Sequence, residues 1–452
     1  MPRSLAQLRA DALRIWRAGV EAVRAETLIR QVVRVNGDML FVEEEPIDLR
    51  TVRRIVVVGG GKAGAGMAVA IEEVLGPKIA AEKKLTGWVN VPADCVRPLA
   101  SIHLHAARPA GQNEPTAEGV TGSLAILSLV KSLTADDLCI CLLSGGGSAL
   151  MPAPVPEITL ADKLAVTKHL SAAGANIQEL NTVRKQLSRI KGGGLARACK
   201  AGRLVALIIS DVLGDPLDII ASGPTVNDDT STPQAALDVL ARFHAIEAGI
   251  SQRVFDYLKN KSNAPSLPPT CEVTNIILGN NAVAVDAAGV EAEQLGYSHA
   301  MISANDEGTA EEVGRHLGEM AVRMKTQPGP NCLISGGEPV VKLIAPAERG
   351  LGGRNQQLVL AALIELEKQP PATGGIVLLS GGTDGEDGPT DAAGAFCDAE
   401  IIAAARRQGL DPADFLRRND AYHFFEAAGG LIKTGPTQTN VCDLRVVVID
   451  RE

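Results

Sequence analysis

The sequence predicts an α/β protein of two domains, the first built on a mainly parallel sheet. Three observations carry this. The 452 residues exceed the size at which one hydrophobic core usually stops growing. The apolar share of 46% comes mostly from Ala, Val, Leu and Ile, with only 3% aromatics and 46 glycines, a profile suited to many tight strand-to-helix turns. Finally, short β-branched runs that end in glycine alternate with helix-like stretches, the pattern of a sheet covered on both faces.

Taken in order, residues 1–28 carry Leu13, Trp16, Val20 and Val23 at helical spacing, which predicts an amphipathic helix packed on the first domain. No continuous apolar core is present there, so neither a signal peptide nor a membrane span is expected. Strands are expected at 54–58, 85–91, 138–143 and 204–209, with helices near 65–75, 117–132 and 159–190. The prolines of NAPSLPPT (263–270) mark a linker, placing the domains at 1–250 and 270–452. Further strands are expected at 273–278, 299–302, 331–334, 376–379 and 444–449.

A formal net charge of −9 argues against general affinity for nucleic acid or anionic membrane. The eight cysteines follow neither a zinc nor a disulfide pattern and read as buried thiols in a reducing cytoplasm. His103 and His105 alternate on one strand face and read as surface imidazoles.

In GGGKAGAGM, Gly59, Gly61 and Gly64 satisfy G-x-G-x-x-G between a strand and a helix. The acidic residue that would grip a ribose is missing, because the next strand finishes near Val91-Pro92 and Asp94 lies beyond it. A Walker A loop fits no better, since Lys62 precedes Ala63 and not Ser or Thr. What the loop does predict is backbone N–H groups of Gly60 and Gly61 facing an anion at a helix N-terminus, with Lys62 adding charge. A second strand-end loop, Ser144-Gly145-Gly146-Gly147-Ser148, offers further donors and points to a ligand crevice at that edge.

Residues 181–194 hold four cations before a glycine cluster. Arg184, Ser188 and Lys191 would share one helical face and could bind an anionic substrate, although a solvated face ended by a glycine cap is the simpler reading for most of them. Asp211 and Asp215 follow a buried strand, where Mg²⁺ ligands and proton acceptors often sit. Asp384, Asp387 and Asp391 fall in a glycine-rich loop suited to a hard cation. Arg354 stands at the onset of an apolar helix, where a guanidinium can clamp a carboxylate or phosphoryl group.

Eight ordered segments, GGGKAGAGM (59–67), LLSGGGSAL (142–150), LNTVRKQLSRIKGGGLA (180–196), SDVLGDPLDIIASGPT (210–225), SGGEP (335–339), GLGGRNQ (350–356), GTDGEDGPTDAAGA (382–395) and TGPTQTN (434–440), resemble the class II glycerate 2-kinases, whose C-terminal half is the MOFRL domain. The resemblance covers nearly the whole chain. It implies a Rossmann-like N-terminal domain, a smaller α/β C-terminal domain, an active site in the cleft between them, and transfer of a phosphoryl group from Mg·ATP to the 2-hydroxyl of D-glycerate. It identifies Lys62 as the catalytic lysine and Arg354 as the cleft arginine.

On this reading Lys62 and Arg354 neutralise phosphoryl charge, and Asp211 or Asp384 holds Mg²⁺ or accepts the hydroxyl proton. The loop of Ser144, Gly145, Gly146 and Ser148, with Arg184 and Lys191, orients the substrate. Asp384 and Asp387 are the expected metal ligands. The partners are then glycerate and the nucleotide, with a homodimer left open. Two alternatives remain: an NAD(P)H-dependent hydroxypyruvate reductase, a name some members of the family carry, and a non-catalytic sensor of a hydroxy acid.

Overall fold

The computed structural model describes residues 3–112, 114–261, 268–302, 308–368 and 374–451. Two compact units are formed, Ala25–Leu278 and Met1–Arg24 with Gly279–Glu452. Residues 263–267 of the expected linker lie outside the described residues.

The first unit opens with an antiparallel three-stranded sheet, β1 (Val33–Asn36), β2 (Met39–Val42) and β3 (Glu45–Asp48), which the sequence reading missed. Its main sheet holds β4 (Arg54–Gly60), β5 (Thr86–Pro92), β6 (Ile102–Arg108), β7 (Asp137–Leu143), β8 (Arg203–Ile209) and β9 (Glu272–Gly279), in the order β6-β5-β4-β7-β8-β9. Strands β4 to β8 pair in parallel, as expected of apolar runs buried on both faces. From β4 the chain builds outward to β5 and β6 on one side, then to β7 and β8 on the other. The strand order therefore reverses between β4 and β7, and the crevice at the carboxyl ends of such a pair is where open α/β sheets bind ligands. Val56, Val58, Cys139, Cys141, Leu204 and Ala206 pack one face of this sheet against Ile126, Leu127 and Val130 of the helix Ala117–Lys131.

The second unit carries β10 (His299–Ile302), β11 (Cys332–Gly337), β12 (Ile376–Gly382), β13 (Gly394–Asp398), β14 (Leu431–Ile432) and β15 (Asp443–Ile449), in the order β10-β11-β15-β12-β13-β14. β10 and β11 pair in parallel, and β15 runs antiparallel to both its neighbours. Side-chain alternation along β15 builds both cores. Leu444, Val446 and Val448 face one layer, while Val447 and Ile449 face the other, as the two-residue period of a strand requires.

The helix Leu5–Ala22 departs from expectation in one respect. It forms as predicted, opened by a capping box between Ser4 and Gln7, but it packs in the second unit and not on the first. Leu8, Ile15, Trp16 and Val20 join Val285, Ala288 and Ala292 of the helix Asn281–Gln294 against β15. The indole Nε1 of Trp16 donates to the carbonyl of Gly381 at 3.2 Å. Hydrophobic spacing shows that a helix has a buried face, not which sheet will cover it.

Of the eight cysteines, all but Cys95 are buried. His103 and His105 lie beside Trp88, with ring centroids 4.2 and 5.2 Å from the indole. No helix among the described residues is long and apolar enough to cross a membrane.

Trp16 is only 1% exposed, so Trp16→Ala is expected to destabilise the second unit by about 3–5 kcal/mol. Denaturant unfolding followed by a probe in that unit checks this; an unchanged midpoint would place the helix elsewhere.

Candidate active site

At the carboxyl ends of β4 and β7 the two glycine loops are tied to each other. The Lys62 N–H donates to the Gly145 carbonyl at 2.9 Å, and the Ala63 N–H donates to Ser144 Oγ at 3.0 Å. The Gly61 N–H goes to the Asn90 carbonyl at 3.2 Å, and that of Gly64 to Gly61 at 3.1 Å. The expected backbone cradle at Gly60 and Gly61 is therefore not what the first loop forms: the donors at this helix start are already engaged. Ser144 is fully buried and acts as a lock between the loops, not as a ligand donor. Gly61 adopts φ +158°, and a Cβ there would stand 2.0 Å from Ser144 Oγ; only glycine lets the loops close this tightly.

Donors are left on the second loop. Among the described residues no acceptor pairs with the N–H groups of Gly145 and Gly146, and a left-handed Gly146 (φ +77°) turns the chain into the short helix Gly147–Leu150. A Cβ on Gly146 would lie 3.4 Å from Lys62 Cγ and 3.7 Å from Arg108 Nη2. Two cationic side chains thus run beside a pair of backbone donors, an arrangement that receives oxyanions.

A second group of cations surrounds Ser148. Lys191 Nζ donates to Ser148 Oγ at 2.5 Å, to the Ser148 carbonyl at 3.1 Å and to Ser222 Oγ at 3.2 Å. Arg184 Nη2 donates to the same Ser148 Oγ, and its Nη1 reaches Asn181 Oδ1 at 3.4 Å. These are not residues of a solvated face. Lys191 is 3% exposed, and the helix Ile177–Gln186 ends before Ser188, so the expected shared helical face does not form. The chain instead turns inward and brings Lys191 under Ser148. Burial, with the charges of Arg184, Lys163 and Lys185, holds Lys191 well below the ordinary lysine range. Burial likewise lowers Arg184.

The wall facing these cations is built from unusual backbone. Ala221 (φ +51°) and Ser222 (φ +63°) are both left-handed, a conformation that costs a non-glycine residue roughly 1–3 kcal/mol. The strain is held by the glycine cluster, since the Gly192 and Gly193 N–H groups donate to the carbonyls of Ser222 and Gly223 at 3.0 and 2.7 Å. Ser222 Oγ in turn donates to Asn181 Oδ1 at 3.0 Å. Asp211 lies two residues past β8, at the same edge of the sheet.

In the second unit Arg354 opens the helix Arg354–Glu367. Its Nε and Nη2 grip the two oxygens of buried Asp443 at 2.7 and 3.0 Å, and Nη1 donates to Glu338 Oε1 at 2.7 Å. Burial opposes the guanidinium charge, but Asp443 outweighs it and holds Arg354 well above its ordinary value. One N–H on each terminal nitrogen remains beyond these three bonds, so the pinned guanidinium can still present a fork to an anion.

Asp387, expected as a metal ligand, caps that helix instead. Its two oxygens accept the N–H groups of Asn355 and Gln356 at 3.0 and 2.8 Å, and burial pushes its carboxyl up to about 7. Asp384 is partly exposed and accepts the Glu386 N–H on Oδ1 at 3.0 Å. Among the described residues no group of three His, Cys, Asp or Glu side chains is placed to hold a metal ion. A cage of protein ligands is thus a poor fit to this chain, whereas a cation carried in by nucleotide phosphates needs only one or two carboxylates.

Sequence reasoning missed Arg108, Lys163, Asn181, Ser222 and Asp443. Two had a visible signal: Asn181 and Ser222 fall in segments already singled out for their cations and turns. The others lie in strands or inside a helix, where one polar residue carries no local mark of its role.

Gly61→Ala is expected to destabilise the first unit by about 2 kcal/mol or more, with part of the loss relieved when Ser144→Ala is added. A double-mutant cycle by denaturant unfolding checks this. Strict additivity would show that the loops are not interlocked.

Comparison with known proteins extends these observations. Residues 11–259 match a family model described as a domain of unknown function (DUF4147), and residues 331–443 match the MOFRL family. A glycerate kinase of Bos taurus is 38% identical, covering 96% of this chain and 92% of that protein. The D-glycerate 2-kinase of Thermotoga maritima is 35% identical over 99% of both chains. The crystal structure of a glycerate kinase from the same organism superposes with a TM-score of 0.79 at 34% identity, covering 98% of this chain and 100% of that one. A protein of Agrobacterium vitis that provisionally bears the name hydroxypyruvate reductase is 38% identical, covering 88% of this chain and 99% of its own. With both family models in order along one sequence and relatives matched over nearly their full lengths, the chain belongs to the MOFRL-containing glycerate kinase family.

Proposed function

We propose that this chain is a kinase that transfers a phosphoryl group from ATP to the 2-hydroxyl of D-glycerate. The observation that carries the reading is the concentration of cationic side chains and free backbone donors at the β4/β7 switch point, in a chain whose full length matches glycerate kinases. Phosphoryl transfer needs positioning and charge stabilisation more than covalent chemistry from the protein, and lysine and arginine side chains held in place supply both.

Each residue then has a role. Lys62, beside Gly145 and Gly146, steadies the transferring phosphoryl oxygens. Arg354, fixed by Asp443, carries a permanent charge suited to a phosphoryl or carboxylate oxygen. Ser148, Arg184 and Lys191 hold the acceptor. Asp211 is the carboxylate assigned to the acceptor hydroxyl proton, supported by its place just past β8. Asp384 would help to hold Mg²⁺, which would supply charge neutralisation on the nucleotide phosphates.

The reductase reading is not favoured. Strand β5 ends at Pro92 without an acidic residue, and the buried side chain of Asn90, near that end, is turned to the Leu150 carbonyl at 2.8 Å. The backbone N–H groups that a dinucleotide pyrophosphate would use at Lys62 and Ala63 are engaged by the neighbouring loop.

Purified protein with Mg·ATP should release ADP only when D-glycerate is present, and Lys62→Ala or Arg354→Ala should each lower kcat by about 100-fold or more. Hydroxypyruvate-dependent oxidation of NAD(P)H that survives Lys62→Ala would overturn the reading in favour of a reductase.

A further inference from the structure

Lys163, on the helix Leu160–Ala172, is a buried cation with no role so far. It is 8% exposed, and its Nζ has no hydrogen-bond partner. The charged groups that act on it are Arg184, from the helix Ile177–Gln186, and Lys191, from the turn that follows. Lys185 adds to the same positive field through Lys191, but its own ammonium is turned to Asp228 at 2.5 Å and Asp218 at 3.2 Å. On its own helix, Asp162 is occupied in the capping box with Thr159. Among the described residues, no carboxylate is paired with Lys163, Arg184 or Lys191.

An ammonium held in this way is unfavourable three times over: it is desolvated, unbonded and surrounded by like charge. A methionine or leucine would fill the same space at lower cost. The contrast with Lys185, the residue that follows Arg184 and is matched by two carboxylates, shows that this part of the fold can neutralise a buried lysine.

We propose that Lys163 is a ligand-binding residue whose ammonium, together with Arg184 and Lys191, receives an oxyanion of the substrate. The proposal rests on the kinase reading for the identity of that substrate. The oxyanion is a carboxylate if the acceptor occupies the site and a phosphate if the nucleotide does. Ser148 and Ser222, already hydrogen-bonded to Lys191, lie at the same place and can reorient their hydroxyls to donate.

A proton linkage follows. Burial and Arg184 pull Lys163 down to about 7 in the unliganded protein, so at pH 8 it is mostly neutral and at pH 6 mostly charged. A bound anion favours the ammonium. Binding at pH 8 therefore draws in about one proton from solvent, while binding at pH 6 draws in almost none. Affinity for the anion falls as pH rises above 7.

The test is calorimetric titration of the full chain and of Lys163→Met with three probes: D-glycerate, ADP and sulfate, an oxyanion that does not titrate in this range. Each is run in two buffers of different ionisation heat at pH 8 and pH 6. Removing an unpartnered ammonium leaves no polar group stranded, so Lys163→Met should unfold at or above the wild-type temperature. The expected result is a proton uptake that is larger at pH 8 than at pH 6 by close to one proton, a difference that is lost in the variant, with binding of the relevant probe weakened tenfold or more. Loss confined to D-glycerate and sulfate assigns the site to the acceptor carboxylate; loss confined to ADP and sulfate assigns it to the nucleotide. If Lys163→Met binds all three as the wild type does, with the same proton uptake, the proposal is wrong. The sulfate titration keeps that outcome separate from the kinase reading, which fails only if the wild type does not phosphorylate D-glycerate.

Discussion

Positive charge held out of water without matching carboxylates is what the site in the first unit depends on. Lys191 and Lys163 are buried beside Arg184, and the surrounding structure is arranged to keep them there. The left-handed pair Ala221–Ser222 brings a hydroxyl to Lys191, and the glycines at 192 and 193 hold that pair by their N–H groups. Each of these features is unfavourable alone, which is what supports the proposal that an anion completes the site.

The second unit shows the opposite solution. Arg354 is also placed at a helix start, yet Asp443 neutralises it from one edge and Glu338 from another, while Asp387 caps the helix beneath it. A guanidinium held by a buried carboxylate keeps one orientation and one charge state. A lysine held by nothing keeps its capacity to respond to a ligand. The two units thus hold different kinds of cation, one rigid and one responsive.

Much of this was legible in the chain. The strand-glycine-helix pattern placed β4, β7 and β8 within a residue or two, because apolar β-branched runs buried on both faces leave little ambiguity. The loops around Lys62 and Ser144 were found for the same reason. What they do was harder to read: glycines signal a tight backbone, and whether the freed N–H groups meet a ligand or a neighbouring loop depends on tertiary pairing. For Gly61 and Ser144 the neighbour won; for Gly145 and Gly146 the donors stayed open. Asp387 was misjudged because a carboxylate in a glycine-rich loop looks the same whether it meets a cation or a helix start. Lys163 was invisible, since LADKLAVTKHL reads as an ordinary helix in which a lysine belongs to water. The helix at residues 5–22 was recognised, but its destination was not, because β15, the strand it packs on, lies more than 400 residues away in sequence.

The most direct measurement is phosphorus NMR of the product formed by the purified protein from Mg·ATP and D-glycerate. A cation-lined site that orients the acceptor by its carboxylate, and so presents the adjacent hydroxyl, predicts a single new phosphoester resonance from 2-phosphoglycerate. A 3-phosphoglycerate resonance would contradict that orientation, and the absence of any phosphoester would contradict the kinase itself.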